Sequence, residues 1–67
     1  MSFFTYSKIK RDYGTLFTDT KLYNNNVIML TFSDSSKIMW FKRIMRETYG
    51  YQVKDCTLGR TYWFEPI

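Results

Sequence analysis

The stretch DSSKIMWFKRIMRETYG, residues 34–50, decides the fold because it carries all the signals of one amphipathic helix. Asp34, Ser35 and Ser36 supply oxygens suited to capping a helix start, and Gly50 suits the left-handed conformation that ends many helices. At about 100° per residue, one face gathers the apolar side chains Ile38, Phe41, Ile44, Met45 and Tyr49. We therefore predict a helix from about residue 34 to residue 49 that buries this face in the core.

The opposite side of this helix is basic and carries an aromatic residue at its border. Lys42, Arg43 and Arg46 fall on that side, and Trp40 lies beside them. Trp and Arg are among the residue types that most often dominate protein–protein interfaces. The alternative is an ordinary solvated face, since exposed helix faces are normally charged and Glu47, four residues after Arg43, partly neutralises this one.

Strand patterns lie on both sides of the helix. Before it, Leu16–Tyr23 alternates apolar and polar residues and Val27–Phe32 is rich in strand formers, with three asparagines between them that suit a tight turn. After it, Tyr51–Leu58 and Thr61–Glu65 flank a Gly-Arg pair that suits a two-residue type II′ turn. Two β-hairpins are therefore predicted.

The two-residue turn fixes a register for the second hairpin. It places Lys54 opposite Glu65 and Cys56 opposite Trp63. The opposed charges of the first pair support this register modestly.

Residues 3–13 fit two patterns. The alternation from Phe3 to Ile9 fits a strand, whereas the spacing of Tyr6, Ile9 and Tyr13 fits a helix. We predict a strand. Residues 1–67 are then expected to form a single compact α+β domain, in which four to five antiparallel strands pack against one helix in the approximate order βββαββ.

The residue types present exclude several kinds of chemistry. The chain has no histidine, so neither a Ser-His-Asp nor a Cys-His nucleophilic site can be assembled. One cysteine cannot supply the four Cys or His ligands of a structural zinc site, and no phosphate-binding glycine motif is present. A hydrolase with two carboxylates stays open, although so short a chain has little room for a substrate cleft beside its core. We therefore expect no enzymatic activity, no cofactor and no metal.

Cysteine usage and hydropathy indicate the compartment. Cys56 is the only cysteine, which excludes the intrachain disulfides on which secreted domains of this size usually depend. The N-terminus shows no signal-peptide pattern, and the longest apolar runs are four residues, Val27–Leu30 and Ile38–Phe41, whereas a membrane helix needs roughly 20. We expect a cytoplasmic protein that does not bind a membrane.

Charge and aromatic content point to a macromolecular partner. Ten Lys and Arg against six Asp and Glu give a net charge of +4, which favours acidic partners. Aromatic residues make up 21% of the chain, more than so small a core easily encloses. Besides the basic side of the helix, two further surfaces are candidates. They are the cluster Lys8, Lys10 and Arg11, suited to phosphates or an acidic surface, and the second hairpin tip with Arg60 and Tyr62.

Three functions fit these observations. The protein docks on another protein through Trp40, Lys42, Arg43, Arg46, Arg60 and Tyr62; or it is a basic regulator that binds DNA or RNA; or it is a homodimer paired through a sheet edge. We favour a protein partner, because the positive charge is modest and spread over both halves and no nucleic-acid-binding motif is present.

Size and composition add one resemblance. A chain this short and rich in Lys, Asn, Tyr and Phe resembles the small accessory proteins of bacteriophages and other mobile elements. The resemblance implies an inhibitor or adaptor that binds a host protein in the host cytoplasm during host takeover.

Overall fold

A computed structural model describes residues 2–57 and 59–67, which form two helices and a four-stranded antiparallel sheet in the order αββαββ. The elements are α1 (Ser2–Tyr13), β1 (Phe17–Leu22), β2 (Ile28–Phe32), α2 (Ile38–Ile44), β3 (Tyr51–Cys56) and β4 (Thr61–Pro66). The strands lie in the order β1-β2-β4-β3, so β1 and β3 are the two edges of the sheet. The predicted α+β class is confirmed, with two helices rather than one. No helix in the described part of the chain is long and apolar enough to cross a membrane.

Residues 3–13 form a helix, so the predicted N-terminal strand is wrong. Ile9 is fully buried, and Tyr6 and Tyr13 pack against the same core. Phe3, which a strand would have buried together with Ile9, is 65% exposed. The helical spacing prevails because it puts three large side chains on one face, whereas the alternating pattern offers only two apolar residues among polar ones.

The helical segment between β2 and β3 begins and ends where the sequence predicts. It starts as a 3₁₀ turn (Ser35–Lys37), continues as α2 and ends as a π-helical turn (Met45–Tyr49). Asp34 caps its start, because the carboxylate accepts a hydrogen bond from the Ser36 backbone N–H at 2.9 Å. Gly50 ends it with a φ of 71°, in the left-handed region that glycine adopts without strain.

The Asp34 cap makes stability depend on pH. The hydrogen bond from the Ser36 backbone lowers the pKa of Asp34 below its ordinary value. A lowered folded-state pKa means that the stabilisation is present above the unfolded pKa, roughly 3.9, and is lost as pH falls through the folded pKa. We expect Asp34→Ala to lower Tm by several degrees at neutral pH and by much less near about pH 2. Thermal unfolding followed by circular dichroism measures both losses.

Asp34→Asn is the matched control for this prediction, because asparagine also caps helices but does not titrate in this range. It should keep most of the Tm at neutral pH. An equal loss of Tm for Asp34→Ala at both pH values would contradict a role for the charged carboxylate.

The core lies between the two helices and one face of the sheet. Its fully buried large side chains are Ile9, Ile28, Leu30, Phe32, Phe41, Met45 and Phe64. At its centre, the ring of Phe41 meets the rings of Tyr13, Phe17 and Phe32 edge to face, with centroids 5.0, 5.3 and 5.8 Å apart. The predicted apolar face of the helix is confirmed.

The first hairpin matches its prediction. β1 and β2 pair in antiparallel fashion, and the Tyr23 N–H donates to the Val27 C=O at 2.8 Å to close the turn. Asn26 has a φ of 68°, a left-handed conformation that asparagine tolerates better than most residues. The asparagines therefore have the turn role that the sequence indicates.

The second hairpin is present, but its predicted register is wrong. Glu65 lies opposite Gln52 rather than Lys54. Cys56 lies opposite Tyr62 rather than Trp63. The pairing also shifts by one residue at Lys54, where β3 bulges.

The loop of this hairpin explains the difference. The Thr57 N–H donates to the Thr61 C=O at 3.1 Å, so the paired strand ends are farther apart in sequence than a two-residue turn allows. The Thr57 hydroxyl also accepts a hydrogen bond from the Gly59 N–H at 3.4 Å. The predicted strand end at Leu58 lies outside the described residues.

Candidate partner-binding surface

One helical segment carries four of the residues predicted to bind a partner. Trp40, Lys42, Arg43 and Arg46, from α2 and the turn after it, are all exposed. The core residues of the same segment alternate with them at helical spacing, so burying one set turns the other outward. We call these four residues the basic helix face.

Trp40 is a half-exposed aromatic side chain that the fold already holds in place. Its ring centroid is 6.1 Å from that of Tyr13 and 6.2 Å from that of Phe41. Half of the residue stays exposed, and the neighbouring Met39 is 83% exposed. Because the indole already packs on its inner side, a partner that covers it has less conformational entropy to remove.

A groove of about 520 Å³ separates the basic helix face from the edge strand β3. Its lining residues are Lys42, Arg43, Arg46 and Glu47 on the helix side and Tyr51, Gln52 and Val53 on the strand side. Arg43 Nε lies 3.1 Å from Glu47 Oε2, but both side chains are largely exposed, so this ion pair holds them only weakly. Three cations against one carboxylate leave the groove positively charged and suited to an acidic ligand.

Tyr62 reaches this surface, whereas Arg60 lies elsewhere. The Lys42 ammonium is 5.9 Å from the centroid of the Tyr62 ring, near the limit of a cation–π contact. The Arg60 C=O instead accepts a hydrogen bond from the Phe32 N–H at 2.9 Å, which places Arg60 at the end of β2, two residues before Asp34. Arg60 is therefore at the start of the helical segment, at the opposite end from Arg46.

The predicted basic cluster near the N-terminus lies on a different helix. Lys8, Lys10 and Arg11 are exposed on α1. Arg11 Nε is 3.0 Å from Asp12 Oδ1, and this bond raises the pKa of Arg11 and lowers the pKa of Asp12. The cluster is therefore partly neutralised within its own helix.

Two further surfaces were not predicted. A groove of about 490 Å³ is lined by Phe4, Thr5, Asn26, Tyr49, Gly50, Tyr51 and Pro66. The sheet face turned away from the helices holds a smaller cavity of about 200 Å³, lined by Tyr23, Asn25, Val27, Lys54 and Trp63. The first requires α1, which the sequence analysis placed as a strand. For the smaller cavity, the sequence offered one signal, which is the strand alternation that places Trp63 and Phe64 on opposite faces of the sheet.

The carboxylates do not gather in either large groove. The groove beside the basic helix face is lined by one, Glu47, which pairs with Arg43, and the 490 Å³ groove is lined by none. Among residues 2–57 and 59–67, no three of His, Cys, Asp and Glu lie close enough together to hold a metal ion. Cys56 is an exposed thiol.

Comparison with known proteins gives no match: no family model, no curated protein and no solved structure is significantly similar to this chain.

Proposed function

We propose that this protein is a non-enzymatic binding protein that docks on an acidic surface of another protein through the basic helix face. One observation carries the proposal: a half-exposed, pre-positioned Trp40 lies on the same helical segment as three exposed cations. Trp and Arg anchors of this kind commonly supply most of the binding energy of an interface. Size and composition further support a phage-type inhibitor or adaptor whose partner is a host protein in the host cytoplasm.

The two kinds of residue would contribute differently. Trp40 exposes half of its surface, so covering it removes about 100 Å² from water and contributes roughly 2–3 kcal/mol. The cations act mainly on the rate and specificity of association, because exposed charges steer an acidic partner and disfavour a basic one. The indole would thus provide affinity, and Arg43 and Arg46 the choice of partner.

A protein partner fits the charges better than a nucleic acid does. Arg11 and Arg43 each pair with a nearby carboxylate, and the other exposed Lys and Arg side chains are spread over α1, β1, the helical segment between β2 and β3, β3 and the loop of the second hairpin. A nucleic-acid module more often presents a concentrated basic stripe that follows the phosphates. The basic regulator of DNA or RNA is therefore the alternative that the test must separate.

The test compares two charge-reversed variants that change the net charge equally. One replaces Arg43 and Arg46 with Glu on the basic helix face, and the control replaces Lys8 and Lys10 with Glu on α1. Tagged proteins capture partners from a bacterial lysate with and without nuclease treatment, and mass spectrometry identifies them. Calorimetry then measures the affinity for the purified partner. We expect the first variant to lose affinity about 100-fold and the control to stay within a few-fold of wild type.

Other outcomes would contradict the proposal. Equal losses in the two variants would show that overall charge matters rather than this face. Captured material that disappears with nuclease, together with an affinity that falls steeply with salt, would favour the nucleic-acid-binding regulator.

A further inference from the structure

The groove beside the basic helix face is also bounded by an unpaired sheet edge. β3 pairs with β4 alone in the described sheet, so its other side has no strand neighbour there. Tyr51, Gln52 and Val53 line the groove from this side. Edge strands offer backbone N–H and C=O groups that pair readily with another extended chain.

The hydrogen-bond pattern identifies which backbone groups face the groove. The Gly50 C=O accepts a hydrogen bond from the Ile67 N–H at 2.9 Å, so these two residues form a hydrogen-bonded pair. Such pairs alternate along antiparallel strands, and Gln52 therefore also bonds toward β4. Tyr51 and Val53 consequently direct their N–H and C=O groups away from β4. Val53, which is half-buried, is the more accessible of the two.

This usable edge is short. The bulge at Lys54 interrupts the regular strand. Beyond it, the Thr57 N–H bonds to the Thr61 C=O, so the neighbouring Cys56 N–H points away from β4. That N–H already donates to Asp55 Oδ1 at 2.8 Å. Regular pairing is thus confined to Tyr51–Val53, about 10 Å of strand.

The cations across the groove determine which kind of strand can pair with β3. Lys42, Arg43 and Arg46 form the wall that faces this edge. A second copy of the chain paired edge to edge would bring two sets of these cations together, along with two copies of Lys54, and like charges oppose that arrangement. An acidic strand would instead present alternate carboxylates to the helix side, since successive side chains of a strand point to opposite faces.

We propose that the groove binds an extended acidic segment of the partner protein, which adds to β3 as a short strand. Its backbone bonds to Tyr51 and Val53, and its alternate carboxylates lie against Lys42, Arg43 and Arg46. This is the strand-addition mode of peptide recognition, in which the backbone provides affinity and alternate side chains provide specificity. The inference rests on the proposed function, because it specifies what the acidic partner inserts.

The test uses a synthetic heptapeptide of alternating Glu and Val and two backbone-methylated forms of it. One form is N-methylated on every Glu and the other on every Val. In an extended peptide, the N–H groups of all Glu residues point to one edge of the strand and those of all Val residues point to the other edge. Only one of the two methylated forms therefore loses the donors that bond to β3. We expect that form to bind at least 10-fold more weakly, and the other to bind within a few-fold of the parent peptide. The parent peptide should slow amide exchange at Val53 at least 10-fold.

The outcomes separate this inference from the proposed function. Equal binding of both methylated forms, or unchanged exchange at Val53, would overturn strand addition. If strand addition were overturned in this way but the Arg43 and Arg46 charge reversal still abolished peptide and partner binding, the proposed docking on an acidic surface would remain valid without strand addition. Absence of peptide binding at about 1 mM would overturn the inference directly. A concentration-dependent dimer that the peptide dissociates, seen by sedimentation, would replace the acidic segment with a second copy of the chain.

Discussion

Phe41→Ala is expected to remove a large part of the free energy that keeps the protein folded. The Phe41 ring is fully buried and meets three other rings edge to face. Truncating a buried Phe costs about 3–5 kcal/mol, and a chain of 67 residues has a total stability of roughly 3–10 kcal/mol. The substitution therefore removes roughly a third or more of the folding free energy, and all of it if the total lies near the lower end of this range.

Urea denaturation followed by circular dichroism tests this expectation. Phe41→Leu keeps much of the volume and should lose considerably less stability than Phe41→Ala. Phe4→Ala is the surface control, because Phe4 is 69% exposed, and it should change stability by no more than about 0.5 kcal/mol. A Phe41→Ala protein that unfolds at the wild-type midpoint would show that the aromatic cluster is not the main support of the core.

The position of Phe41 also affects how binding experiments are interpreted. Trp40, the proposed anchor, is its chain neighbour and packs against both Phe41 and Tyr13. A substitution at Trp40 therefore disturbs the core as well as the surface. The Arg43 and Arg46 charge reversal tests the surface more cleanly, since both side chains are exposed.

The helical segment between β2 and β3 was predictable because its signals are local. Asp34 caps it, Gly50 ends it and the apolar spacing sets its buried face, all within 17 residues of continuous chain. The same helical spacing placed Lys42, Arg43 and Arg46 on the opposite side, with Trp40 at its border. Local geometry alone was sufficient for this part of the candidate site.

The register of the second hairpin was not predictable in this way. The expected pairing of Lys54 with Glu65 offered only about 0.2–1 kcal/mol, too little to outweigh loop geometry. The loop closing at Thr57 and Thr61 and the bulge in β3 set the register instead. The strand side of the groove depends on this arrangement and on β3 being a sheet edge, which is a property of the whole sheet order.

The prediction for the N-terminal segment was wrong for a third reason. Its sequence fits both the two-residue period of a strand and the 3.6-residue period of a helix. In a strand from Phe3 to Ile9, both end residues share the buried face, whereas in α1 only Ile9 does. The choice between them is made by packing on the rest of the core, where α1 also fixes itself to β1 through a 3.0 Å hydrogen bond between the Tyr6 hydroxyl and Thr20 Oγ1. The sequence of residues 3–13 alone does not reveal that contact, because the partner Thr20 lies on β1.

Ile9→Ala should therefore destabilise the protein by about 2–5 kcal/mol, because Ile9 is the one α1 side chain that is fully buried in the described structure. Phe3→Ala is the matched control and should cost no more than about 0.5 kcal/mol. Urea denaturation of both variants measures the difference. Comparable losses at Phe3 and Ile9 would favour the strand and contradict α1.

The same substitution links the core to the proposed binding surface. Tyr13, at the end of α1, holds the inner side of the Trp40 indole, so loosening α1 removes one of the two rings that position the anchor. We expect the indole N–H resonance of Trp40 to shift and broaden in Ile9→Ala, under conditions where circular dichroism shows that the protein remains folded. Partner affinity should fall at the same time, although Ile9 itself is buried and cannot touch the partner. An unchanged Trp40 resonance with weakened binding would mean that α1 supports the partner surface by another route.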